Sequence, residues 1–195
     1  MQMNQLVRWL GMICLVAGIA RIGMTPTSII WGTDSVQELT FGYIACILMS
    51  VGSIALFAVQ SKETGMLGFI STIGIILGNI ITTALVFTAF FPGMQEVATD
   101  SLVTMISRMV SMLGLTGGTL LYAIITFRAK VFPRWVAILH FVMILSMFLP
   151  IADNKYFAFF WGLAYVGAGV CIWTGKLANN SSSSTSLPAD HSIRM

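Results

Sequence analysis

Two arginines stand inside apolar runs, Arg21 in "LVRWLGMICLVAGIARIGM" and Arg108 in "SRMVSMLGLTGG". A guanidinium holds its charge and offers five donors, so it can bind a carboxylate or a phosphate. It can equally extend along apolar surface and anchor a helix at the polar headgroups. Arg108 lies six residues beyond Leu102, about 9 Å along a helix, and Arg21 lies three residues before the end of its apolar segment. The sequence therefore places both near one surface of an apolar slab. Arg21 reads first as a snorkelling anchor. Arg108 reads as an anchor, as a salt-bridge partner of Glu96 or Asp100, or as a ligand contact.

Polar side chains recur at helical spacing around these arginines. Gly68, Thr72, Asn79 and Thr83 share one face, with Asn79 the deepest strongly polar group of its segment. Thr104, Arg108, Ser111, Gly118 and Tyr122 form a second stripe. Gly74 and Gly78, and likewise Gly114 and Gly118, have the four-residue spacing that lets two helices approach closely. Such stripes either pack helices together or line a small polar cavity, and both readings put the third and fourth segments at the centre of a bundle. The site candidates are thus Arg21, Arg108, Asn79, Glu96 and Asp100.

Nothing in the spacing points to catalysis or metal binding. His140 stands alone on an apolar segment and reads as a packing residue. Cys14, Cys46 and Cys171 are odd in number, match no zinc spacing, and read as buried thiols. There is no paired carboxylate within a helix, no phosphate loop and no nucleophile-base pattern. No catalytic residue, metal ligand or cofactor is therefore expected.

The elements that must position these residues follow from composition. The 195-residue chain is 57% hydrophobic and only 9% charged, with a mean hydropathy of +0.90. Soluble domains carry about 25% charged residues, so the bilayer is the solvent that suits this chain. Six apolar segments stand out, at 6–24, 39–60, 65–91, 102–127, 135–151 and 157–175. They predict an all-α fold, a bundle of six transmembrane helices over residues 1–177. The segment 135–151 is at the short limit. The serine-rich tail 178–195 is too polar to repay ordering entropy and is expected to be disordered. Short connections such as "SKET" predict antiparallel hairpins. The longer connection 25–38 predicts a short interfacial helix that starts at Thr25-Pro26 and ends near Gly32.

Charge sets the expected orientation. With the N-terminus in the cytoplasm, Arg8, Lys62, Arg128, Lys130, Arg134, Lys176 and Arg194 lie inside and only Lys155 lies outside. Both termini are then cytoplasmic. Trp9 and Trp135, each after an arginine, read as interfacial anchors. Five acids, Asp34, Glu38, Glu96, Asp100 and Asp153, fall on the outer side. A net charge of +3 without a basic face gives no case for nucleic acid.

The segment "GGTLLYAIITFRAKVFPRWVAIL" at 117–139 resembles a stretch of small multi-pass bacterial membrane proteins of unknown function, and "RWLGMICLVAGI" at 8–19 is similar in kind. The resemblance implies a bacterial inner-membrane protein and brings no reaction with it. The expected function is non-enzymatic, a binding, accessory or sensory membrane protein in a lipid bilayer, with a membrane-protein partner or a homo-oligomer in view. The alternative is a small-solute transporter or channel component, and a membrane enzyme comes third.

Overall fold

The structure is a computed structural model and describes residues 3–91, 93, 101–148 and 155–178. Among them the regular structure is helical throughout. Six helices follow one another: α1 (Met3–Trp31), α2 (Val36–Ala58), α3 (Ser61–Ala89), α4 (Leu102–Ala129), α5 (Arg134–Met147) and α6 (Phe157–Thr174). Five of them, all but α5, are long and apolar enough to cross a membrane, with mean hydropathies of 1.6 to 2.1. The 14 residues of α5 reach about 21 Å, short of the roughly 30 Å of a hydrocarbon core. Pro133 fixes its start, and Phe148 closes it by donating its N–H to the Leu145 carbonyl. The tail beyond Ala178 lies outside the described residues.

The connection 25–38 differs from its expectation. α1 runs unbroken to Trp31 with Pro26 inside it, so no separate interfacial helix begins at Thr25. Pro26 leaves the Ile22 carbonyl without its helical N–H donor, which a membrane helix tolerates. The Thr27 hydroxyl bonds the carbonyls of Gly23 and Met24, both at 2.9 Å. The Thr25 hydroxyl, free to look outward, bonds the Lys155 carbonyl at 2.9 Å and ties α1 to the start of α6. α1 ends at Gly32, where φ is +92°. Ser35 then caps α2 by accepting from the Glu38 N–H.

The hairpin between α2 and α3 is as tight as "SKET" suggests. One helical turn over Ser61–Thr64 is followed by a break at Gly65, with φ 52° and ψ −138°. A side chain rarely adopts that conformation, which is why glycine stands there.

Successive helices pack side by side, and α6 returns to α1 and closes the ring. The expectation that α3 and α4 hold the centre is not met. The apolar window of α6 is 56% buried, whereas that of α3 is 28% buried. The strongest packing joins α1 to α2 and α6. Glycine explains it. Gly11 and Gly18 on α1, seven residues apart, meet α6 where Gly162 and Gly169 are also seven apart. A Cβ on Gly18 would stand 2.6 Å from both the Gly162 carbonyl oxygen and the Val166 nitrogen. Cys14 and Ala17, both fully buried, lie between the two α1 glycines, and Gly52 of α2 closes on Cys14.

α3 and α4 meet through the glycines that the sequence singles out. Gly114 lies against the Gly74 carbonyl and Gly78, and Gly118 lies against the backbone of Ser71 and Ile75. At this contact α4 changes to a π-helical turn over Leu113–Gly117.

Candidate functional site

The ends of the bundle where α1, α3 and α5 finish will be called upper, and the opposite ends lower. In the upper half, among the described residues, α4 packs on α3 but not comparably on α5 or α6. A cavity of about 310 Å³ lies between α1, α3, α4, α5 and α6. Arg21 and Arg108 both line it, so the structure brings the two intramembrane arginines of the sequence to one place.

The two are not alike. A snorkelling Arg21 would have to reach the surface from near a helix end. Because α1 continues past Pro26, Arg21 instead lies ten residues, about 15 Å, before Trp31. It is only 8% exposed. Its guanidinium carbon is 5.3 Å from the ring centroids of both Phe157 and Trp161, a cation-π arrangement. Nη1 points to the Cys46 sulfur at 3.9 Å, and Nε is buried without a partner. Snorkelling does not describe this residue. It is a cation packed into the bundle, and among the described residues no carboxylate pairs with it. Arg108, by contrast, is exposed.

Three hydroxyls complete the polar wall. Ser111 and Thr82 lie 2.6 Å apart, and Ser111 also donates to the Gly78 carbonyl at 3.2 Å. The Thr116 hydroxyl is buried and unpaired, and so is the Trp161 indole N–H. Thr116 belongs to the π-helical turn. Such turns recur at functional sites because they re-aim side chains that a regular helix would hold elsewhere.

Asn79 is buried but does not line this cavity. Its amide donates to the Ile75 carbonyl at 3.0 Å, within its own helix. Gly68 and Thr72 share its buried face, with the Thr72 hydroxyl on the Gly68 carbonyl at 2.8 Å. Glu96 and Asp100 lie outside the described residues. Sequence reasoning misses Phe157 and Trp161 as partners of Arg21, and Thr82 as part of the same cavity wall. They come from other helices, and only the true length of α1 would have set Arg21 at the level of Trp161.

A second polar group lies lower in the bundle. His140 is buried, with Nδ1 2.8 Å from the Val136 carbonyl and its ring 5.1 Å from Tyr122. The Gln60 amide donates to the Thr126 hydroxyl at 3.0 Å. The Tyr122 hydroxyl lies with Thr126 and Gln60 in this group, while His140 Nε2 and Gln60 Oε1 make no hydrogen bond among the described residues. At the lower ends, the Arg8 guanidinium donates to the Trp173 carbonyl at 3.0 Å, and Trp9 and Trp135 are exposed. No group of three or more potential metal ligands occurs among the described residues.

Helix length, composition and the ring of packed helices define a multi-pass, all-α membrane protein, with bilayer lipid against its apolar surface. Compared with protein-family models, curated proteins and solved structures, the chain matches none. The resemblance of residues 117–139 therefore supplies no family.

Proposed function

We propose that this membrane protein binds an anionic group in the upper vestibule, in a binding, accessory or sensory role. The observation that carries the reading is Arg21. A buried cation without a carboxylate partner among the described residues is costly unless something compensates it, and here it lines a cavity with a second arginine on the wall. Positive charge with donors to spare is the chemistry of anion recognition. The basic loops favour cytoplasmic termini and a vestibule on the outer side of a cell membrane. Reporter fusions at Glu63 and after Gly175 should read as cytoplasmic, and one near Gln95 as external.

The binding reading is tested by purification from native membranes and mass spectrometry of what remains bound. An anionic small molecule should accompany the wild type and be absent from Arg21→Met. If nothing anionic is retained by either protein, the reading fails.

One observation favours a transporter as the second reading. Thr116, Thr119, Tyr122 and Thr126 step down α4 from the vestibule, and the last two stand beside His140 and Gln60. Such a line of polar side chains is what a solute route through the bundle would need. Anion flux in proteoliposomes, lost in Tyr122→Phe, would favour transport over binding alone.

A further inference from the structure

Resting on the anion-binding reading above, we infer that the vestibule takes an amphiphile from the bilayer. Its phosphate or carboxylate head lies on Arg21, Thr116 and Trp161, and its apolar body lies against Leu85, Met112 and Leu115.

The head group follows from the donors. Arg21 Nε, Trp161 Nε1 and the Thr116 hydroxyl are each buried without a partner. Arginine and tryptophan can only donate. A site whose unspent groups are donors, one of them on a cation, calls for an acceptor with negative charge. The indole and guanidinium are held by their own packing, with Trp161 3% and Arg21 8% exposed, and a small side-chain shift would turn their donors to the cavity they line.

The apolar body follows from the rest of the wall and from its volume. Leu85, Met112, Leu115 and Met147 are hydrocarbon and thioether. The 310 Å³ space is about ten times a water's share of liquid volume, roughly 30 Å³. A bare phosphate would leave much of it unfilled.

The entry route follows from α4. Its upper part, Leu102–Met112, has only Ser111 buried and packs on α3. Among the described residues it makes no comparable contact with α5 or α6. Among the described residues nothing closes the seam between upper α4 and α5, and Met105, Met109 and Met112 of upper α4 are exposed and apolar. A lipid can bring its head to a basic pocket between helices while its chains stay in the hydrocarbon.

The test uses the full chain in phosphatidylcholine nanodiscs doped with phosphatidylglycerol, with retained lipid read by native mass spectrometry. Phosphatidylglycerol should be enriched about tenfold over its share of the nanodisc, and Arg21→Gln should lose the enrichment. Trp161→Phe and Thr116→Val, which each remove one donor, should lower it if Arg21→Gln fails to fold. In a separate arm, inorganic phosphate is titrated against the unfolding temperature in neutral detergent and should leave it unchanged. Stabilisation by inorganic phosphate without lipid enrichment would overturn the amphiphile and leave the anion site standing. No response in either arm, with no anion retained from native membranes, would overturn both.

Discussion

Where α1 meets α6, glycines seven residues apart on each helix bring the backbones together along most of their length. Where α3 meets α4, glycines four residues apart do the same over about one turn at mid-helix, and upper α4 stays on α3 while standing away from α5 and α6. The small-residue device is shared, but its reach differs. A seven-residue repeat returns to the same helix face every two turns, so the α1–α6 contact is renewed and the seam stays shut. The close glycine approach of α3 and α4 is made once, beside the π-helical turn of α4. Above it α4 keeps to α3 but leaves α5 and α6, and the cavity with Arg21 and Arg108 lies there. One interface gives the fold its rigidity, and the other gives it an opening.

The largest expected effect comes from filling the closed interface. In Gly18→Leu the new Cβ would meet backbone on α6, which cannot move aside as a flexible side chain can. Overpacking costs typically 1–3 kcal/mol and sometimes more. A loss of about 3 kcal/mol or more is expected, read as a sharp fall in folded, monodisperse protein. A variant as stable as the wild type would show that α1 and α6 are not held by close backbone contact.

The single contact should be less uniform. A Cβ on Gly114 would lie 2.6 Å from the Gly74 carbonyl oxygen, whereas one on Gly74 would find its nearest neighbour at an ordinary 3.4 Å. Gly114→Ala should cost about 1–3 kcal/mol, and Gly74→Ala should be close to neutral. Thermal unfolding of the two purified variants checks the asymmetry. Equal effects would mean that the helices are further apart, or turned differently, than described.

Much of this contrast is legible in the amino-acid sequence. Composition points to the helices, the four-residue glycine spacing predicts the α3–α4 contact, and the short segment at 135–151 corresponds to the short α5. Two things are hidden for physical reasons. Pro26 reads as a boundary because proline lacks a donor, yet α1 continues through it to Trp31. That one false boundary is the difference between Arg21 at a helix end and Arg21 in a buried position. The seven-residue pairs, Gly11 with Gly18 and Gly162 with Gly169, are visible as spacings. What they do depends on α6 returning to α1, which neither segment encodes alone. The π-helical turn lies where α4 packs against α3, a contact that its own five residues do not encode.

Arg21 sharpens the comparison in the opposite direction from the glycines. Replacing an unpaired buried charge with a residue of similar length and no charge removes a desolvation cost. Arg21→Met should therefore leave the empty protein as stable or more stable, while abolishing anion retention. Phe157 and Trp161 would lose a cation but keep an apolar neighbour. Paired measurements of unfolding temperature and bound anion would separate the two effects. A marked destabilisation without ligand would assign Arg21 to the closed part of the molecule rather than to the opening.

The smallest effect belongs to Arg108, on the exposed wall of the same cavity. The sequence offers Glu96 and Asp100 as its partners, and exposed ion pairs are worth up to about 1 kcal/mol. A double-mutant cycle on Arg108→Ala with Glu96→Ala, and another with Asp100→Ala, isolates any pairing from the cost of each change alone. The expected coupling is below about 1 kcal/mol and falls on one acid only. Arg108→Lys separates the roles further. Lysine extends to the headgroups as well as arginine does, but it replaces a forked guanidinium-carboxylate pair poorly. A silent lysine variant with no coupling to either acid would make Arg108 an anchor, leaving Arg21 as the charge on which anion binding depends. A lysine variant that unfolds earlier and loses the coupling would make the exposed wall a built part of the vestibule.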